Sequence, residues 1–95
     1  MKRDIFEEYV DKVTNHFGIT REQFFTKNKT REIVDARQMV YYLCRERPMT
    51  TQYIKHYMGA NGYDVAVTTI THGANKMQKD ISSDPDYINL IKKLK

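Results

Sequence analysis

Apolar side chains return along this chain at spacings of three and four, the period of a helix face. Ile5, Phe6, Tyr9, Val10, Val13 and Phe17 form the first such stripe, with Asp4 at its start and Gly18 beyond its end. Thr20-Arg21-Glu22-Gln23 has the form of a capping box and leads into Phe24-Phe25, which predicts a second, very short helix. Residues 26–31 are polar and basic with no apolar period, and read as a loop. The rhythm resumes from Glu32 through Ala36, Met39, Val40, Leu43 and Cys44 until Pro48 stops it, predicting the longest and central helix. Thr50 or Thr51 is placed to cap a helix of about two turns, with Tyr53, Ile54, Tyr57 and Met58 on one face and Gly59 just past its end. The glycines and asparagine of residues 59–64 predict a sharp turn, after which Asp64 is placed to cap the next helix. That helix carries Val67, Ile70, Ala74, Met77 and Ile81 on one stripe. Ser82-Ser83-Asp84-Pro85 then opens a last helix with Tyr87, Ile88, Leu90, Ile91 and Leu94 toward the core. No strand alternation, repeat or linker interrupts the pattern. The class is all-α, a compact bundle of roughly five to six helices, with residues 1–95 as a single domain.

Composition narrows the function. At 95 residues there is no room for a second domain or an ATP-driven motor. Sixteen Lys and Arg against twelve Asp and Glu leave a net charge of +4, which permits an anionic partner without demanding one. A single cysteine, Cys44, excludes an internal disulfide and a cysteine-based metal cage, and suits a reducing compartment. With no apolar run of spanning length and no signal-peptide pattern, the expectation is a cytoplasmic protein without a membrane partner.

A short helix, a glycine-bearing turn and a longer helix with a polar outer face make a helix-turn-helix pattern, whose second helix fits a DNA major groove. At about 100° per residue the face opposite Ile70 and Met77 carries Thr69, His72, Lys76 and Lys79, flanked by Thr68 and Asn75, with no acid expected on it. Hydroxyls and amides reach base edges, threonine methyls pack on thymine methyls, and lysines neutralise phosphates. The basic loop offers a second contact, because Lys27, Lys29 and Arg31 alternate with small polar residues, a pattern suited to a minor groove or phosphate backbone.

Two segments carry a resemblance to a known family. Phe24-Phe25-Thr26-Lys27-Asn28-Lys29-Thr30-Arg31, followed by Ala36-Arg37-Gln38-Met39-Val40 and Leu43, is similar to the basic loop and long-helix start of the C-terminal duplex-binding domain of DnaA, the bacterial replication initiator. Thr68-Thr69-Ile70-Thr71-His72-Gly73-Ala74, with Lys76-Met77, resembles the start of that family's recognition helix. The resemblance spans Ile5 to Leu94 and implies a stand-alone, divergent relative, in which a basic loop enters the minor groove while Thr68 and its neighbours read the major groove. It also implies a backbone-holding role for Arg37. Ala66 and Val67 stand where the family usually has Asp-His, eight residues separate Gly59 from Thr68 in a longer turn, and Asn28 and Asp35 replace usual arginines. These departures imply a different preferred sequence and a weaker phosphate grip.

No other constellation points to chemistry. His16, His56, His72 and Cys44 lack metal-ligand spacing, and Gly59-Ala60-Asn61-Gly62 lacks the strand and Gly-Lys-Ser/Thr of a nucleotide loop. Met39, Met49, Met58 and Met77 read as core filler, and of the adjacent Tyr41 and Tyr42 one is expected to pack and the other to be exposed. With no nucleophile-base pair or carboxylate pair, the chain reads as a non-enzyme without cofactor, metal or small-molecule substrate. Double-stranded DNA is the expected partner, in replication initiation, its regulation or transcription control. The alternative is a protein-interaction module of the same fold that binds a replication protein, for which Tyr63, Ala66 and Val67 would supply apolar contacts.

Overall fold

The computed structural model describes residues 2–95, and among them six helices and no strand. They are α1 (Lys2–Phe17), α2 (Arg21–Phe24), α3 (Arg31–Arg45), α4 (Thr51–Ala60), α5 (Val67–Ser83) and α6 (Pro85–Leu94). The α3 helix is central, packed mainly against α5 on one side and α1 on the other. It is not the longest, however, since α5 has 17 residues and α3 has 15. Phe6, Val10, Val13, Phe24, Met39 and Leu43 are fully buried at the middle, and Met49, Met58 and Met77 fill the gaps around them. Tyr41 and Tyr42 are both buried. Both lie on the broad contact side of a helix enclosed by two neighbours, and Tyr42 keeps its hydroxyl satisfied at Glu46.

The helix ends follow local chemistry. The capping box at Thr20 forms in both directions, with Gln23 N donating to Thr20 Oγ1 and Thr20 N to Gln23 Oε1. Thr50 caps α4, and Asp84 caps α6 with Pro85 in its first turn. α1 and α4 end in the same way. Gly18 and Gly62 adopt φ of +68° and +87°, and the amides around each donate back to carbonyls in the last helical turn. At α4 these bonds run from Gly62 N to Gly59 O and from Tyr63 N to Met58 O. Gly59 is therefore inside the helix, which extends one residue beyond it. The second glycine, not the first, takes the left-handed position, so α4 is ten residues long rather than two turns.

Three further expectations are corrected. Asp64 does not cap α5. The N-cap is Ala66, without a side-chain hydrogen bond, while the Asp64 carboxylate lies 3.4 Å from Lys55 Nζ. Ile88 is 41% exposed, because only Ile91 and Leu94 of α6 reach the interior fully and Tyr87 and Leu90 lie along its edge. Finally, Asp80 enters the polar side of α5 one turn after Lys76 and pairs with it at 3.1 Å, so that face is not free of acids.

Candidate nucleic-acid interface

α5 presents two sides of different chemistry. Ile70, Gly73, Ala74 and Met77 are buried against α3, whereas Thr68, Thr69, His72, Asn75, Lys76 and Lys79 are exposed. The approach of α5 to α3 is close at Gly73, where a Cβ would meet Gln38 Cγ and Tyr41 Cδ2 at 3.1 Å. On the flank, Arg45 of α3 donates to Asn75 Oδ1 at 2.7 Å and Gln78 Oε1 at 3.0 Å, fixing two amides that would otherwise rotate freely. The first turn of α5 holds no acidic residue and no side-chain cap, so its amides and the positive end of the helix dipole are left open beside Thr68 and Thr69.

The basic loop between α2 and α3 is tied down by hydrogen bonds, three of them donated by Arg37. Expected as a surface cation, Arg37 is only 5% exposed. Its Nε donates to Phe24 O at 2.8 Å, one terminal nitrogen to Asn28 O at 2.9 Å and the other to Thr26 O. A guanidinium nearly two turns into α3 thus gathers three carbonyls of the chain that precedes the helix. Asn28 completes the turn by accepting from Thr30 N at 2.8 Å and Thr30 Oγ1 at 2.6 Å. With the carbonyls drawn inward, Lys27, Lys29 and Arg31 project outward, and all three are exposed. The Arg31 side chain is 94% exposed, with only a 3.9 Å approach to Asp35.

The segment before α5 adds contacts that sequence reasoning missed. The Tyr63 ring lies under the Arg37 guanidinium at 4.5 Å and the Lys27 ammonium at 5.2 Å. Lys27 Nζ donates to Asp64 O at 3.0 Å, and Lys55 Nζ donates to Val65 O at 2.9 Å. An aromatic residue just after a glycine-terminated helix was the available signal, since that position packs back on the helix end and its direction is set by the turn.

The expected site residues come together on one side of the molecule. Lys29 and Thr69 border a cleft of about 220 Å³ between loop and helix, with Arg37, Gln38, Tyr41 and Tyr63 at its walls. Burial pushes the Tyr41 hydroxyl well above its ordinary range, so it stays protonated beside the Arg37 cation. Arg31 and Lys76 border a second depression, and His72, Lys76 and Lys79 a third along the outer face of α5. Lys27 stands slightly apart, over the Tyr63 ring. Among the described residues no three His, Cys, Asp or Glu side chains gather as a metal site, and no helix is long and apolar enough to cross a membrane.

A short helix, a left-handed glycine turn and a longer helix with an exposed hydroxyl and lysine face define a helix-turn-helix domain. The chain belongs to the bacterial DnaA helix-turn-helix family, whose model, described as "Bacterial dnaA protein helix-turn-helix", matches residues 6–77. Among relatives, it is 33% identical over 83 residues to the chromosomal replication initiator protein DnaA of Lachnoclostridium phytofermentans, covering 86% of this chain and 17% of that protein. It is 31% identical over 83 residues to the protein of the same name from Symbiobacterium thermophilum, covering 86% and 17%. To that from Herpetosiphon aurantiacus it is 33% identical over 93 residues, covering 97% and 18%. The chain therefore spans about a sixth of the length of these relatives, and no solved structure matches it significantly.

Proposed function

We propose that this domain binds double-stranded DNA with sequence preference, in replication initiation, its regulation or transcription control. α5 would enter the major groove N-terminus first, and the loop bearing Lys27, Lys29 and Arg31 would meet the adjacent minor groove. The observation that carries this reading is the shared cleft: the loop's Lys29 and the helix's Thr69 border the same opening, so one duplex can engage both. The open, acid-free first turn of α5 supports it, because a phosphate or base edge there meets unpartnered amides. Thr68, Thr69 and His72 would read bases, while Lys76 and Lys79 would hold phosphates. Arg37 would act through the loop it organises rather than by touching the duplex.

The competing reading, a module that binds a replication protein, relied on Tyr63, Ala66 and Val67. Tyr63 is engaged with two cations and Val67 is half-buried, which leaves Ala66 as the exposed member of that set.

A duplex titration tests the proposal. Five exposed cations, Lys27, Lys29, Arg31, Lys76 and Lys79, are available to phosphates. Affinity is therefore expected to fall by roughly two and a half to three orders of magnitude between about 50 and 200 mM salt. Binding that ignores salt over this range would refute the proposed contact.

The double variant Thr68→Ala with Thr69→Ala tests base reading. Each truncation removes a hydroxyl or methyl contact, and the pair is expected to cost roughly 1 to 3 kcal/mol against a preferred duplex. Non-specific binding and folding should hardly change, since both residues are uncharged and exposed in a helix. A double variant that keeps the full preference shows that this end of α5 does not read sequence.

A further inference from the structure

The loop and the recognition helix belong to different elements and share no backbone hydrogen bond among those that tie the turns together. Their separation must nonetheless be set, because a minor groove and the adjacent major groove lie at a fixed spacing on a duplex. Tyr63 sits at the junction. Its amide is held by Met58 O in the turn that ends α4, which fixes where the ring can go. One cation from α3, Arg37, and one from the loop, Lys27, lie over that ring. Arg37 also binds the loop's own carbonyls, and Lys27 donates to Asp64 O immediately after the ring. The loop is therefore fastened to the segment that leads into α5 through one aromatic side chain and its neighbouring carbonyl.

We propose that Tyr63 is a positioning residue whose ring clamps the basic loop to the segment preceding α5, setting the spacing between the loop's cations and the hydroxyls of the recognition helix. The inference rests on the DNA-binding reading for its consequence on a duplex, but the clamp itself concerns the free protein. Tyr63 lies in the turn between Gly59 and Thr68, one residue after the left-handed Gly62.

Two variants separate the ring from mere bulk. Tyr63→Phe keeps the π face and loses only the hydroxyl, while Tyr63→Leu keeps apolar packing and removes the face on which the cations sit. Backbone ¹⁵N relaxation in the free protein is the first measurement. Amides of residues 26–30 are expected to gain fast motion in Tyr63→Leu and to remain as in the wild type in Tyr63→Phe, while α3 and α5 stay ordered in both. Competition binding is the second, using the duplex that the wild-type chain selects from a randomised pool against a random duplex. Tyr63→Leu is expected to lose about tenfold in affinity for the selected duplex, and Tyr63→Phe to restore it. Loop amides that stay equally ordered in Tyr63→Leu overturn the clamp, as does equal loss in both variants. Should the wild-type chain select no duplex at all, the DNA-binding reading fails by itself, and the relaxation data still decide whether Tyr63 holds the loop.

Discussion

Replacing Arg37 by methionine is expected to lower the stability of the free domain by about 2 to 4 kcal/mol, before any DNA is added. Methionine keeps an unbranched apolar stem of similar length but removes every donor. The carbonyl of Phe24, buried beneath the guanidinium, would lose its partner, that of Asn28 would have to find water, and that of Thr26 would keep only the Asn28 amide. The stack on Tyr63 goes at the same time. For a domain of this size the loss is a large part of the total, and chemical denaturation would show it as a lower midpoint with little change in slope. Duplex binding should then weaken for all sequences, because Lys27, Lys29 and Arg31 are no longer held outward. Arg37→Lys separates this from direct phosphate contact. One ammonium cannot serve three carbonyls spread around a planar guanidinium, so lysine should rescue neither stability nor binding. If lysine restores duplex affinity and the methionine variant melts like the wild type, Arg37 holds a phosphate and not the loop.

Above about pH 9 the domain is expected to lose stability steeply, chiefly through two buried groups on α3, with smaller contributions from the Tyr42 and Tyr87 hydroxyls, which burial also raises. Burial pushes the Cys44 thiol up to about 12 and the Tyr41 hydroxyl well above its ordinary range. In both cases the folded state keeps a proton that the unfolded chain releases, so more protons are bound by the native state and stability falls as pH rises. Cys44 begins to contribute near the unfolded thiol value of about 8.5, and Tyr41 near about 10. Each group costs up to about 1.4 kcal/mol per pH unit while only its unfolded form is ionised. Below about pH 8 neither titrates in either state, and neither contributes a pH dependence. Denaturation midpoints recorded from pH 7 to 11 test this, with Cys44→Ala and Tyr41→Phe as partners. The double variant, measured against its own pH 7 value, should show a much shallower decline. A decline as steep as that of the wild type would mean that other groups cause it. The same burial predicts that Cys44 resists thiol reagents at pH 8 until the domain is unfolded.

The sequence by itself determined what local rules govern. Period and caps place all six helices, because a helix forms from bonds between residues four apart, and its ends depend on the side chains next to them. Thr20, Thr50, Asp84 and Pro85 act where their positions indicate, and the buried faces of α1, α3 and α5 match their apolar stripes. The exposed face of α5 was legible for the same reason, as were the outward cations of the loop. Tertiary structure decided the partners of long polar side chains, which reach several ångströms in any direction and take whichever carbonyl or carboxylate the fold brings near. Arg37 turned inward because the loop doubles back over the start of α3, whereas the Lys76–Asp80 pair, four residues apart on α5, follows from helix geometry and was open to sequence reading. Asp64 was drawn to Lys55 instead of capping α5, since Gly62 and not Gly59 took the left-handed position and shifted the turn. Tyr63 came to rest beneath two cations from separate elements, a contact spanning 26 residues to Arg37 and 36 to Lys27 that only the packed chain creates.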